Sequence, residues 1–204
     1  MAASSTPPTV LVIASGNAGK VREFGALLAD LGLETRPQPE GLEVEETGTT
    51  FAENARLKAA AVAIATGCWA LADDSGLSVD ALGGAPGVHS ARYANGDAAR
   101  IERLLQELAT AGALSPTARS ARFTAALALA NPAGAVVLEV EGHCPGQILE
   151  APRGTGGFGY DPVFFVPEAG LTFAEMPQSL KAQLGHRGRA FALLKPQLQG
   201  LIQG

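Results

Sequence analysis

The chain is 204 residues long, 47% apolar and 17% charged, which is enough for one large domain or two packed lobes and too apolar for disorder. A formal net charge of −5 and a pI of about 5.2 exclude a sequence-independent grip on DNA or RNA, which needs a basic face. Two distant cysteines, Cys68 and Cys144, exclude a disulfide framework or zinc-spaced pair and suit a reducing cytoplasm, and no apolar stretch is unbroken enough for a membrane span.

Residues 1–8 lack a signal-peptide pattern and read as a flexible tail before a single α/β domain over residues 9–204. Thr9 to Ala14 predicts a buried strand and Ser15 to Gly19 a loop. Val21, Phe24, Leu27, Leu28 and Leu31 then recur at helical spacing up to Gly32. Ser15 and Asn17 offer a hydroxyl and an amide, the helix start offers backbone N–H groups, and Lys20 adds a positive charge in the first turn. Together these favour phosphate oxygens. The loop is not a P-loop, because Ala14 and Val21 stand where that motif requires Gly and Ser or Thr. The same residues also suit a plain βα connection with Asn17 as cap and Lys20 in water, although a first-turn lysine opposes the helix dipole.

Leu33 to Gln38 reads as a short strand, and Glu43 to Glu46 as an acidic strand or loop. Thr50-Phe51-Ala52-Glu53 is a capping box that opens a helix to about Thr66, before Gly67. At about 100° per residue, Phe51, Ala55, Leu57, Ala61, Val62 and Ala65 share one face. Lys58 falls near the middle of that face, with Glu53 and Arg56 opposite. An inward lysine needs an anionic partner unless it snorkels to water.

The run Ala70-Leu71-Ala72-Asp73-Asp74-Ser75-Gly76-Leu77 predicts an apolar strand that ends at two carboxylates and opens into a loop, where α/β proteins place chemistry. Carboxylates beside a core strand require a metal, a cation or a reaction as compensation; an Asx turn is the plainer alternative. In an extended strand Asp73 and Asp74 would face opposite sides.

Asp97 to Leu108 predicts an amphipathic helix, and Arg122–Ala130 with Ala135–Glu141 a hairpin around Asn131-Pro132-Ala133-Gly134. Gly154 to Gly159 formally satisfies G-x-G-x-x-G, but Pro162 opposes the helix that a dinucleotide fold needs. The segment suits either a loop that holds the Phe158 or Tyr160 ring against a flat ligand or a mobile surface loop. Pro162 to Val166 reads as a short strand. His186 and Arg187, just before a final helix carrying Ala190, Phe191, Leu194, Leu198 and Leu201, supply donors for a carbonyl or phosphate oxygen or stand solvated in a helix-entry loop. The element order predicts α/β with a mixed sheet.

In this order and spacing the segments resemble the inosine triphosphate pyrophosphatase family, the non-canonical purine NTP pyrophosphatases or XTP/dITP diphosphatases. The likeness runs from Val10 to about Leu194. It is carried by Ala14 to Lys20 with Glu23, by Glu45 to Phe51 with Glu53-Asn54-Ala55 and Lys58, and by Ala72 to Leu77 with Gly83 to Gly87. Ser90 to Tyr93, Gly154 to Pro162 and His186-Arg187-Gly188 complete it.

The resemblance implies Mg²⁺-dependent cleavage of ITP, dITP and XTP to monophosphate and pyrophosphate. It further implies an elongated long mixed sheet with flanking helices, two lobes around a nucleotide-binding cleft, and usually a homodimer. Carried over by position, Ser15, Asn17, Lys20 and Lys58 would hold the phosphates, and Glu45 and Asp74 would bind Mg²⁺. Asp74 would also accept the proton of the attacking water, with Lys58 beside it in the catalytic group. Ser75 would contact substrate, Phe158 would stack on the purine, and Gly159, Tyr160, Asp161, Lys181, His186 and Arg187 would surround the base. Gly185 stands where serine is common, Leu180 where an acidic residue is frequent, and Ser15 where threonine is common. A septum-linked pyrophosphatase with another base preference and a non-hydrolysing nucleotide-binding regulatory module are the alternatives. The aromatic–glycine loop with His186-Arg187 weighs against the first, and intact Glu45 and Asp74 against the second.

Overall fold

The capping chemistry written into the sequence marks real helix ends. In the structure, a computed structural model that describes residues 7–203, the Thr50 hydroxyl accepts the Glu53 N–H at 3.2 Å and the Glu53 carboxylate accepts the Thr50 N–H at 3.1 Å. Gly67, at φ 64°, closes the same helix in a left-handed turn. Residues 1–6 of the expected tail lie outside the described residues; Pro7 is exposed and Pro8 buried.

The chain runs β1 (Val10–Ala14), α1 (Ala18–Leu28), β2 (Glu34–Pro37), α2 (Phe51–Thr66), β3 (Trp69–Val79), α3 (Asp97–Thr110), β4 (Ser120–Ala130) and β5 (Val136–Ile148). It continues through β6 (Phe164–Val166), β7 (Leu171–Thr172), α4 (Gln178–Leu184) and α5 (His186–Gln203). The strands form one mixed sheet in the order β2-β1-β3-β4-β5-β6-β7. β1 pairs in parallel with β2 and β3, whereas β5–β6 and β6–β7 are antiparallel. β4 and β5 are neighbours joined by a tight turn in which the Asn131 side chain accepts from the amides of Ala133 and Ala135, a connection that only antiparallel strands allow.

Packing divides the chain into two compact units. One holds residues up to Asp74, Ala126–Gly142 and residues from Ala190 onward; the other holds Ser75–Ala125 and His143–Arg189. One core cluster of the first is built from small residues, Val12, Ala14, Ala55, Ala59, Val62, Ala63, Ala70, Ala72, Ala126, Ala128 and Ala130, while larger side chains such as Leu11, Phe24, Leu28, Leu71, Leu127, Leu129 and Leu194 are buried elsewhere in the unit. Alanines on both surfaces let α2 lie close to the sheet. The second has a larger-residue core in which the Phe123 ring meets Phe164 edge-on at 4.7 Å and stacks on Phe173 at 5.6 Å.

Four expectations need correction. β3 does not end at the aspartates but runs on through Asp73, Asp74, Ser75 and Gly76 to Val79. Each carboxylate meets a lysine, so neither a loop nor an Asx turn is needed to expose it. The buried face of α2 is Asn54, Ala55, Ala59, Val62 and Ala63, while Leu57 and Ala65 of the expected face are exposed. Apolar residues nearly encircle this helix, so periodicity alone does not locate the packed side. The final helix begins at His186 itself and follows a short helix, α4, that the sequence pattern does not announce. The second hairpin strand extends beyond Glu141 to Ile148.

Candidate active site

In the first unit, β3 presents two successive carboxylates to two different helices, as the alternation of an extended strand dictates. Asp73 pairs with Lys20 of α1, Nζ to Oδ2 at 2.7 Å. Asp74 accepts from Lys58 of α2, Nζ to Oδ1 at 2.8 Å, and from the amide of Asn54 at 3.3 Å. Lys58 donates in addition to Glu46 Oε1 at 2.8 Å. The lysine in the apolar arc therefore has anionic partners and does not snorkel.

The loop after β1 combines both of its readings. Asn17 caps α1, its side-chain oxygen accepting the N–H groups of Gly19 at 2.8 Å and Lys20 at 3.1 Å, while Ser15 Oγ accepts the Asn17 N–H at 3.1 Å. Lys20, however, turns to Asp73 instead of standing in water. Ser15, Asn17 and Lys20 thus share one short turn at the end of β1.

Glu45 is exposed, and its neighbour Glu46 is the residue that reaches Lys58. The signal for this lies in the sequence. Burial alternates along the segment, with Leu42, Val44, Glu46 and Gly48 half-buried and Glu43, Glu45 and Thr47 exposed, so the parity of Leu42 and Val44 selects the second glutamate. Asn54, fully buried, is the other residue that motif reading passes over. Its Oδ1 accepts the Gly48 N–H at 2.8 Å while its Nδ2 donates to Asp74, tying the acidic segment to the aspartate. A Cβ on Gly48 would stand 2.6 Å from that Oδ1, so glycine is required for the approach.

Burial pushes the Asp74 carboxyl above its ordinary range despite the pull of Lys58. Burial opposes the Lys58 ammonium, yet Asp74 and Glu46 more than offset it and hold its pKa above the usual lysine value. Asp74, Glu46 and Lys58 together carry a formal −1, which leaves room for further positive charge. The two carboxylates offer the hard oxygen donors that suit Mg²⁺. Among the described residues no group of three or more His, Cys, Asp or Glu side chains could hold a metal, so other ligands would have to be phosphate oxygens and water.

The second unit assembles the remaining residues. Asp161 Oδ2 accepts the Phe158 N–H at 3.0 Å and the Lys181 ammonium at 2.6 Å. Burial raises the Asp161 carboxyl, against the attraction of Lys181. Gly157 gives this carboxylate its space, since a Cβ there would fall 1.9 Å from Oδ2. Lys181 Nζ lies 5.2 Å and Arg187 Cζ 5.5 Å from the centre of the Phe158 ring.

Arg187 also donates to Ser75 Oγ at 2.7 Å. His186 is buried and stacks on Phe123 at 4.7 Å, so neither residue stands in a solvated loop. Tyr160 is buried too, and its hydroxyl donates to the Ser90 carbonyl at 2.9 Å; this ring anchors the loop that carries Phe158 and Gly159. A Cβ at Gly185 would stand 2.5 Å from the Lys181 carbonyl oxygen, so the backbone approaches closely here.

The sequence model of the Ham1 family matches residues 11–197. The chain is 66% identical over 194 residues to the dITP/XTP pyrophosphatase of Synechococcus sp. (strain CC9311), covering 95% of this chain and 92% of that protein. It is 57% identical over 194 residues to the dITP/XTP pyrophosphatase of Gloeobacter violaceus, with 95% of each covered. Among solved structures, a HAM1 protein from Coxiella burnetii matches with a TM-score of 0.84 at 43% identity, over 94% of this chain and 98% of that one. The Ham1 protein of Staphylococcus aureus matches with a TM-score of 0.80 at 40% identity, over 94% and 98%. Alike in sequence and in fold from the first strand to the final helix, the chain belongs to the Ham1 family.

Proposed function

We propose that this chain hydrolyses the deaminated purine nucleoside triphosphates ITP, dITP and XTP to the monophosphate and pyrophosphate, with Mg²⁺, and so clears them from the nucleotide pool. The observation that carries the reading is Lys58, largely enclosed with 13% of its side chain exposed and held at 2.8 Å from both Asp74 and Glu46. Such a group is costly to bury unless it works. The similarity, up to 66% identity, to proteins named dITP/XTP pyrophosphatases supports it.

In this reading Asp74 and Glu46 would hold Mg²⁺, whose charge would neutralise triphosphate oxygens. Asp74, with its carboxyl raised by burial, takes the proton of the water that attacks the α-phosphorus. Lys58 and Lys20, with the Ser15–Asn17 turn, meet the negative charge that grows on the departing pyrophosphate. Phe158 offers its ring to the purine. Donors from His186, Arg187 and Lys181 suit the keto oxygen at position 6 of a deaminated purine, whereas the amino group of adenine would leave them unpaired.

The same reading makes the protein a cytoplasmic homodimer; among the described residues no helix is long and apolar enough to cross a membrane. Incubation with ITP, dITP, XTP, ATP, GTP and UTP, with Mg²⁺ or EDTA, followed by chromatography, tests the function. Pyrophosphate from the first three, lost with EDTA, is expected. Preference for UTP would point to a septum-type pyrophosphatase, and binding without products to a regulatory module.

A further inference from the structure

Both peptide N–H groups that flank the α-carbon of Phe158 donate to carboxylates. Its own N–H donates to Asp161 at 3.0 Å, and that of Gly159 to Asp97 Oδ2 at 2.7 Å. With both held, the backbone of Phe158 is fixed on each side, and with it the direction of the ring. The two anchors differ in kind. Asp161 lies three residues on and closes a local turn, whereas Asp97 comes from the first position of α3, 62 residues away. Only the second ties this peptide to a distant rigid element.

Tyr160 already ties the loop to Ser90 one residue further on, and Asp97 adds a tie at the Phe158–Gly159 peptide itself. Gly157 and Gly159 sit at φ +76° and +62°, in left-handed conformations with no side chains of their own to pack. Asp97 is suited to supply it. Its other oxygen accepts from Arg100 at 2.7 Å, and the N-terminus of α3 favours a negative charge at that position. The bond to Gly159 is charge-assisted, hence stronger than an ordinary peptide hydrogen bond.

We propose that Asp97 is a positioning residue for base recognition: it latches the Gly159 amide to α3 and thereby sets the Phe158 ring before substrate arrives. The inference rests on Phe158 being the base-stacking residue. A loop fixed in advance lowers the cost of ordering it on binding, so the effect falls on ligands that carry a base and not on the hydrolytic step.

The test compares wild type, Asp97→Ser and Asp97→Asn. Serine also suits a helix start but is too short to reach Gly159, whereas asparagine retains a reaching oxygen. For Asp97→Ser, KM for dITP is expected to rise about tenfold with kcat within about twofold, the loss of one charge-assisted hydrogen bond. Inhibition by inorganic tripolyphosphate, which has no base, is expected to stay unchanged. Exchange of the Gly159 amide hydrogen, followed by NMR, should quicken about tenfold or more. Asp97→Asn should recover most of the KM and the protection. Wild-type exchange at Gly159 in Asp97→Ser would overturn the latch, as would weakening of tripolyphosphate inhibition in step with KM. Failure of the wild-type protein to hydrolyse dITP would instead overturn the functional reading, and is told apart because it precedes any variant.

Discussion

Lys58 Nζ donates to Asp74 Oδ1 at 2.8 Å with 13% of one side chain and 10% of the other exposed. A pair so placed has little water to screen it, and its loss on one side leaves a carboxylate uncompensated. Asparagine at position 74 keeps the shape and an acceptor for Lys58 but takes no proton. Turnover of dITP by Asp74→Asn is expected to fall about a thousandfold, with a melting temperature close to wild type. Near-normal turnover in a folded Asp74→Asn would falsify the role of the base.

Removing the ammonium should also be severe. Lys58→Met leaves Asp74 and Glu46 facing one another without their shared cation, so turnover is expected to drop about a hundredfold or more. Steady-state kinetics on dITP reads this directly. Unchanged kcat and KM would reduce Lys58 to a structural ion pair.

The two adjacent glutamates are expected to separate cleanly. Glu46→Gln should lower activity about tenfold or more and raise the Mg²⁺ concentration needed for half-maximal rate, whereas Glu45→Gln should behave like wild type. Mg²⁺ titrations of the two variants decide the matter; the reverse pattern would restore Glu45 as the ligand.

Among several carboxyls held low in the folded protein, Glu175 is the most strongly depressed contributor to acid stability. Arg153 and the Thr172 amide hold Glu175 down to a pKa of about 2, from an ordinary 4.5. A carboxyl depressed in the folded state adds stability that is complete above about pH 4.5 and is lost as the pH falls toward 2. Thermal melting of wild type and Glu175→Gln should therefore differ at pH 6 and converge by about pH 2. A gap that persists unchanged into strong acid would show that the charge is not its source.

Position 188 should tolerate nothing but glycine. A Cβ there would lie 1.7 Å from the Ala182 carbonyl oxygen, so α5 and α4 would have to move apart. Gly188→Ala is expected to cost about 1–3 kcal/mol in urea unfolding, the range of overpacked sites. A loss below about 0.5 kcal/mol, the size of an ordinary surface change, would contradict this close approach.

Local chemistry was readable from sequence where it depends on neighbours a few residues apart. The capping box at Thr50, the stop at Gly67 and the Asn17 cap all appear where the residues place them. Long-range compensation was not readable in that way. Nothing near Asp73 and Asp74 in the chain says that Lys20 and Lys58 neutralise them, and without those partners a strand end was the cheaper expectation for two carboxylates. The face of α2 failed for a different reason: Leu57 and Ile64 are apolar yet exposed, so hydrophobicity and burial part company on that helix. Glu45 rests on the family resemblance by position alone, whereas the burial alternation through Leu42 and Val44 falls on Glu46, the residue that meets Lys58.

The unit that holds Asp74 and Lys58 also contains residues from Ala190 onward, among them the buried Ala190, Leu194 and Leu198. Its reactive side chains lie in the first half of the chain, but part of its packing arrives only with α5. During synthesis the carboxylates and lysines therefore exist for most of the chain's elongation without their finished enclosure, and a truncated product lacking α5 would carry every reactive residue of that unit yet not its complete core.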